Sequence, residues 1–353
     1  MDLWETLAAE TRPIFLYGTG NGGDKIIDAC HTAGVRLTGV FASDGFVRNR
    51  TFRDMPVRAY SDVVAEYGED IVILLAFGTT LPEVRAFIDA LDKRHTLYIP
   101  EVPLYGGAVF NEAYCKAHSE EIHAVRALLG DEESIRVFDD ALQFRLTGKQ
   151  EYLRCTCENT TAIRELLGNR GIRVILDGGA FRGDSAEDFC TALSDARIIY
   201  AAEADERTFR HLENYAAGEA RCSVKPIHCA LWDKDEELRY TSSASRGSGE
   251  SGRNRRAKET VVPARTIDSL FPGDTPVDLI KLDVEGAERN ALWGGKNTIC
   301  TKAPAMMVSL YHRTEDLWDL PLLLHEWLPE HSLHLRRPDC VPFWDLTLYM
   351  VKK

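Results

Sequence analysis

Apolar positions along the chain fall into two patterns: short unbroken runs, and sets spaced three and four residues apart. From Pro13, PIFLYG is a short run, GNGGDKIIDACHTAG has helical spacing and LTGVFASD is a second run, which makes a βαβ unit. DIVILLAFG then reads as a buried strand, LPEVRAFIDAL as a helix and TLYIP as a short strand. Residues 1–110 are therefore expected to form a small Rossmann-like α/β domain with about four parallel strands, half of a dinucleotide-binding fold.

Between 111 and 170 the strand signal disappears, and FNEAYCKAHSEEIHAVRALL and EESIRVFDDALQFRL predict a helical connector. From Ile172 the βα alternation restarts through RVILDGGAFRGDSAEDF, RIIYAAEADERTFRHLENYA, SVKPIHCALWD, VDLIKLDVEGAERNAL and AMMVSLYH. Residues 171–353 are thus a second Rossmann-like domain, and SLHLRRPDCVPFWDLTLYMV predicts an antiparallel pair at its sheet edge.

Composition agrees with two cores, since 353 residues at 44% hydrophobic exceed what one ordinary core holds. A net charge of -13 repels polyphosphate backbones and argues against nucleic acid as a partner. The segment SSASRGSGESGRNRRAKE, with Arg246, Arg253, Arg255, Arg256 and Lys258, reads as a solvated hairpin tip or an anion-attracting loop, too short to change that. No run approaches the ~20 apolar residues of a membrane span, and MDLWETLAAE lacks the marks of a signal peptide, so a soluble, cytoplasmic protein is expected. Nine scattered cysteines suit a reduced compartment better than a disulfide frame, and the C-x-C pair Cys155 and Cys157 reads as packing rather than zinc ligation.

Candidate chemistry collects where strands end, the edge at which open parallel sheets bind ligands. ILDGGAFRGD brings Asp177 into a turn containing Gly178, Gly179 and Gly183 ahead of a helix, where bare backbone can approach a ligand closely. Glu203 ends the next strand, suited to the two hydroxyls of a ribose. Without a G-x-G-x-x-G spacing there, these residues describe a nucleoside pocket lacking a polyphosphate cradle, and S-adenosylmethionine fits that description. Asp283, Glu285 and Glu288 crowd around Gly286; such acids bind a cation, receive substrate hydroxyls or raise one another's pKa, so Asp283 and Glu285 are candidates for a base or for Mg2+. His312 ends the strand after that and suits a general base.

With those residues in view, the stretch from about Glu132 to the C-terminus resembles the FkbM-type family of S-adenosylmethionine-dependent methyltransferases. The carriers are ILDGGAFRGDSAEDF, AAEADERTFRHLENYA, ARTIDSLF, DLIKLDVEGAE and SLYHRTEDLWDLP. The resemblance implies a class I methyltransferase fold, a mostly parallel seven-stranded sheet with an antiparallel edge. It implies that Asp177, Gly178, Gly179, Ala180, Phe181, Gly183, Asp184 and Ser185 surround the cofactor's methionine end. Glu203 and Ala204 would then hold the ribose, and Cys229, Ala230 and Leu231 would flank the adenine. Asp283 would touch the cofactor as well, and with Glu285, Glu288 and His312 it would face the acceptor, a small-molecule or glycan hydroxyl.

The first domain carries GTGNGG, a G-x-G-x-x-G through Gly18, Gly20 and Gly23 followed by Asp44 at the next strand's end, a candidate nucleotide or nucleotide-sugar site. An oxidoreductase or epimerase run by that domain on NAD or a nucleotide-sugar, or a non-catalytic nucleotide sensor, is the rival reading. The connector helices and the aromatics of SLYHRTEDLW, expected to be exposed, leave room for a homodimer.

Overall fold

The computed structural model describes residues 1–47, 50–106, 108–219, 221–241 and 259–353. The arginine-rich segment with Arg246, Arg253, Arg255, Arg256 and Lys258 lies outside the described residues.

The strands of the first domain are β1 (Ile14–Tyr17), β2 (Gly39–Ala42), β3 (Thr51–Phe52), β4 (Met55–Ala59), β5 (Val72–Leu75) and β6 (Thr96–Tyr98). They form one sheet in the order β3-β4-β2-β1-β5-β6, six strands rather than the expected four. The two extra strands make a hairpin around Arg53 and Asp54; Thr51, Phe52 and Met55 carry no unbroken apolar run, so only pairing with β2 reveals them. The continuous apolar character of β1, β2 and β5, buried at every position, reflects helices on both faces of a parallel sheet.

The remaining strands are β7 (Val174–Gly178), β8 (Ile198–Glu203), β9 (Ser223–His228), β10 (Ala230–Leu231), β11 (Glu236–Thr241), β12 (Glu259–Arg265), β13 (Leu279–Leu282), β14 (Ala305–Ser309), β15 (His331–Arg336) and β16 (Thr347–Lys352). Seven of them make the order β15-β16-β14-β13-β7-β8-β9, parallel except for β16, which runs antiparallel to both β14 and β15. This is the class I methyltransferase arrangement expected above, antiparallel edge included. The strand order reverses between β7 and β13, and the ends of those two strands are where ligands of such sheets sit. β10, β11 and β12 form a separate three-stranded sheet.

The connector is helical as expected: Glu112–Ala117, Ser119–Leu128, Glu132–Thr147 and Asn159–Leu167. Asp131 caps the third of these by accepting from the Ser134 N–H, and the same carboxylate pairs with Arg336 on β15, so the cap also fastens the connector to the sheet edge. Trp318 stacks on His118 at 5.0 Å, and both Trp318 and Tyr311 are buried. Of the aromatics expected to be exposed for a dimer, Trp318 is therefore covered by the chain's own connector and Tyr311 is buried in the core. The two sheets share a core that includes Phe15 and Ile73 from the first and Leu176 and Leu282 from the second.

Among the cysteines, Cys190 and Cys222 form a disulfide across 32 positions of sequence, against the expectation of free thiols. One ends the helix Asp184–Ala192 and the other precedes β9, two places that only the folded layer brings to a Cα–Cα distance of 6.3 Å. Cys155 and Cys157 are half-buried against the hydrophobic cores, as packing residues. Among the described residues, no helix is long and apolar enough to cross a membrane.

Candidate active site

Asp177 and Lys281 are register partners on β7 and β13, so their side chains leave the sheet on the same face. The Lys281 ammonium lies 3.1 Å from Oδ1 of Asp177 and donates to the Gly179 carbonyl at 2.9 Å, while Ser185 Oγ donates to Oδ2 of Asp177 at 2.6 Å. Asp177 is completely buried, so its carboxylate braces the glycine turn from below rather than facing a ligand. Gly179 has φ +73°, and a Cβ there would sit 1.9 Å from the Asp283 carbonyl: β7 and β13 end in direct backbone contact. A side chain at Gly183 would strike the Tyr215 ring. Gly178 is covered by Leu231, which with Cys229 is buried under the turn, while Ala230 is half-buried beside them.

Glu203 stands at the end of β8 with Oε2 accepting from the Phe181 N–H at 3.0 Å and Oε1 from the Asp205 N–H at 2.8 Å. Burial pushes its pKa up, while the two backbone N–H groups pull the other way. Each carboxylate oxygen accepts two hydrogen bonds, so one position on each remains for a vicinal pair of hydroxyls. Ala204 follows, its carbonyl 3.2 Å from Nε2 of His228.

His312 is wholly buried, with Nδ1 2.9 Å from Glu288 Oε1 and Nε2 3.6 Å from both Asp283 Oδ1 and Glu285 Oε2. Burial alone would lower its pKa, but Glu288, then Asp283 and Glu285, outweigh it and lift the imidazole to about 9. The acids on both sides therefore favour the imidazolium, and the ring, wholly buried, sits among three carboxylates and does not line the cavity described below. Glu285 reaches the ring from a left-handed backbone, φ +57°. Asp316, buried beside Glu288, is raised to about 7 by that burial and by the Glu288 charge. Asp283, Glu288 and His312 each offer a ligand atom within 4.8 Å of the others, so the set fits a cation as well as a proton. Glu285, named for metal from sequence, lies outside that trio.

Sequence reasoning missed two tyrosines here. Tyr311 donates to Asp283 Oδ1 at 3.0 Å, and Tyr105, from the segment leaving the first domain, donates to Glu285 Oε2 at 2.8 Å. The backbone N–H groups of Leu104 and Tyr105 also bond the His312 carbonyl, at 3.1 and 3.2 Å. Tyr311 adjoins a candidate and could have been named; Tyr105 lies 180 positions from Glu285 and carries no local signal.

A cavity of about 170 Å³ opens beside Gly179 and Asp283 and includes Asp184 and Ser185 in its wall. It lies on the face of β13, β14 and β16 covered by the helices Asn159–Leu167 and Asp184–Ala192.

In the first domain the fingerprint glycines serve the chain's own packing. A Cβ at Gly18 would strike Phe77, one at Gly23 the Phe52 ring, while Gly20 faces open space. Asp44 accepts from the backbone N–H and hydroxyl of Ser61 through one oxygen. Gly18, Gly20 and Gly23 follow the end of β1, and Asp44 follows the end of its parallel neighbour β2.

The description "Methyltransferase FkbM domain" is that of the family model matching residues 177–335, a range that holds the turn, Glu203, the acids and His312. Residues 177–335 match the FkbM methyltransferase domain. The solved structure of Methyltransferase FkbM from Methylobacillus flagellatus KT is similar over 99% of this chain and 92% of that one, at 18% identity and a TM-score of 0.71, which shows a shared fold across both sheets. Aeropyrum pernix fibrillarin in complex with S-adenosyl-L-methionine is a looser likeness, 15% identical over 54% of this chain and 73% of that one, with a TM-score of 0.33. No curated protein is matched.

Proposed function

We propose that the FkbM domain is an S-adenosylmethionine-dependent O-methyltransferase whose acceptor is a hydroxyl of a sugar or glycoconjugate. The observation that carries the cofactor is Glu203, whose carboxylate is pre-aimed by two backbone N–H groups beside a glycine turn that lacks a polyphosphate fingerprint. The cofactor supplies a methyl group already activated on a sulfonium. The chain's own contribution is alignment, worth as much as ~7–11 kcal/mol, and removal of the acceptor proton, worth roughly 10²–10⁴-fold.

Asp283 is the residue suited to that proton. It lines the cavity, whereas His312 does not, and its Oδ1 is held by the Tyr311 hydroxyl. Nε2 of His312 lies 3.6 Å from the same Asp283 oxygen, and Glu288 holds the ring from the other side. Mg2+ would fit the same trio, and ligation and protonation of His312 are mutually exclusive. Activity measured with and without chelator decides between the two occupants: turnover that survives chelation excludes a required ion, and turnover restored only by added Mg2+ assigns the trio to metal.

Calorimetry with S-adenosylhomocysteine tests the reading. Glu203→Ala removes two hydrogen bonds to a carboxylate, each worth about 1.5–3 kcal/mol, so Kd should rise by at least ~100-fold. An unchanged Kd, or saturation of the same cleft by NAD, refutes it.

A further inference from the structure

We propose that the cavity beside Asp283 is the acceptor subsite, and that it selects a hydroxyl-rich acceptor that is neutral or amino-bearing and rejects a phosphorylated one. This rests on the methyltransferase reading above. The cavity is assembled by register: β14 pairs with β16 so that Met307 lies opposite Tyr349 and Ser309 opposite Thr347, and all four side chains line it. Ser309 is 5% exposed and Tyr349 1% exposed, so what little surface these two hydroxyl-bearing residues keep is in the wall of the cavity. Two hydroxyls on one cavity wall, each able to donate and accept, are places where a ligand's own hydroxyls can bond.

Charge narrows the ligand. The described wall carries the carboxylates of Asp184, Asp188, Asp283 and Asp345, and its one cation, Lys281, is engaged by Asp177 and the Gly179 carbonyl. Asp188, pushed up to about 6 by burial and then by Asp184, registers the same field. A phosphate would enter against that field without a free cation to meet it, whereas hydroxyls and an ammonium donate into it. At about 170 Å³ the cavity is smaller than the ~300–1,000 Å³ that encloses a drug-sized ligand, so it takes one moiety rather than a chain.

The test is saturation-transfer NMR on the full chain saturated with S-adenosylhomocysteine, using glucosamine, glucose and glucose 6-phosphate as probes. Glucosamine and glucose should bind and glucose 6-phosphate should not, and Tyr349→Phe and Ser309→Ala should each weaken binding about three- to tenfold. Ser309→Ala is the variant expected to fold normally if Tyr349→Phe does not. Binding of glucose 6-phosphate equal to glucosamine, indifference to both substitutions, or no binding of any probe overturns the proposal. Displacement of glucosamine by S-adenosylhomocysteine overturns it too, because the donor's own ammonium would then occupy the cavity. Calorimetry with S-adenosylhomocysteine alone separates the two failures: a normal Kd without sugar binding removes only the subsite assignment.

Discussion

Replacing Lys281 by Met probes the brace under the glycine turn. Lys281 is 9% exposed and Asp177 0% exposed, and the ammonium meets both a carboxylate oxygen and the Gly179 carbonyl. Met fills the space of the aliphatic stem but leaves the Asp177 charge buried with only Ser185 to answer it. Removing one partner of a buried pair costs about 3–5 kcal/mol, whereas replacing both with neutral groups is often close to neutral. For a cooperative unit of this domain's size, ~2–4 °C of Tm accompanies each kcal/mol, so Lys281→Met should melt lower by on the order of 10 °C. The double variant Asp177→Asn with Lys281→Met should recover most of that loss. Calorimetric melts of wild type, both singles and the double close the cycle. An unshifted Lys281→Met, or a double variant falling by the sum of the singles, would show that the pair is not coupled as its geometry requires.

His312 is raised from 6.5 to about 9, so the stability it contributes is complete below pH 6.5 and lost as pH rises through 9; urea titrations should fall by on the order of 3 kcal/mol across that window, and His312→Gln should flatten it. Asp316 is raised from 3.8 to about 7, so its contribution is present below pH 4 and lost through pH 7. Asp316→Asn keeps the bond from the Arg313 N–H and should be more stable than wild type at pH 8 but not at pH 4, a difference readable in Tm. Gly179→Ala places a methyl 1.9 Å from the Asp283 carbonyl at φ +73° and should abolish S-adenosylhomocysteine binding or folding. Gly218→Ala, with nothing within 4 Å, should leave binding unchanged and Tm level or slightly raised.

Much of the later sheet is legible without coordinates, because a buried parallel strand writes its own signature: VILDG, IIYAAE and LIKL are apolar runs closed by Gly or an acid. Asp177, Glu203, Asp283 and His312 are found the same way, as polar residues at the ends of those runs. Their jobs are not found that way. Asp177 and His312 both look like groups for a ligand in the sequence, and both prove to be buried against partners 104 and 24 or more positions away.

What the sequence alone determined was element type and the edge on which chemistry collects, since hydrophobic period and chain punctuation are local properties. Tertiary structure decided everything that depends on register and burial. It set Lys281 opposite Asp177, carried Tyr105 from the first domain onto Glu285, and laid Tyr349 of the antiparallel edge opposite Met307. It also set His312 among three acids that raise its pKa, because a group's charge state follows from the dielectric and the charges around it, and those neighbours arrive from distant parts of the chain.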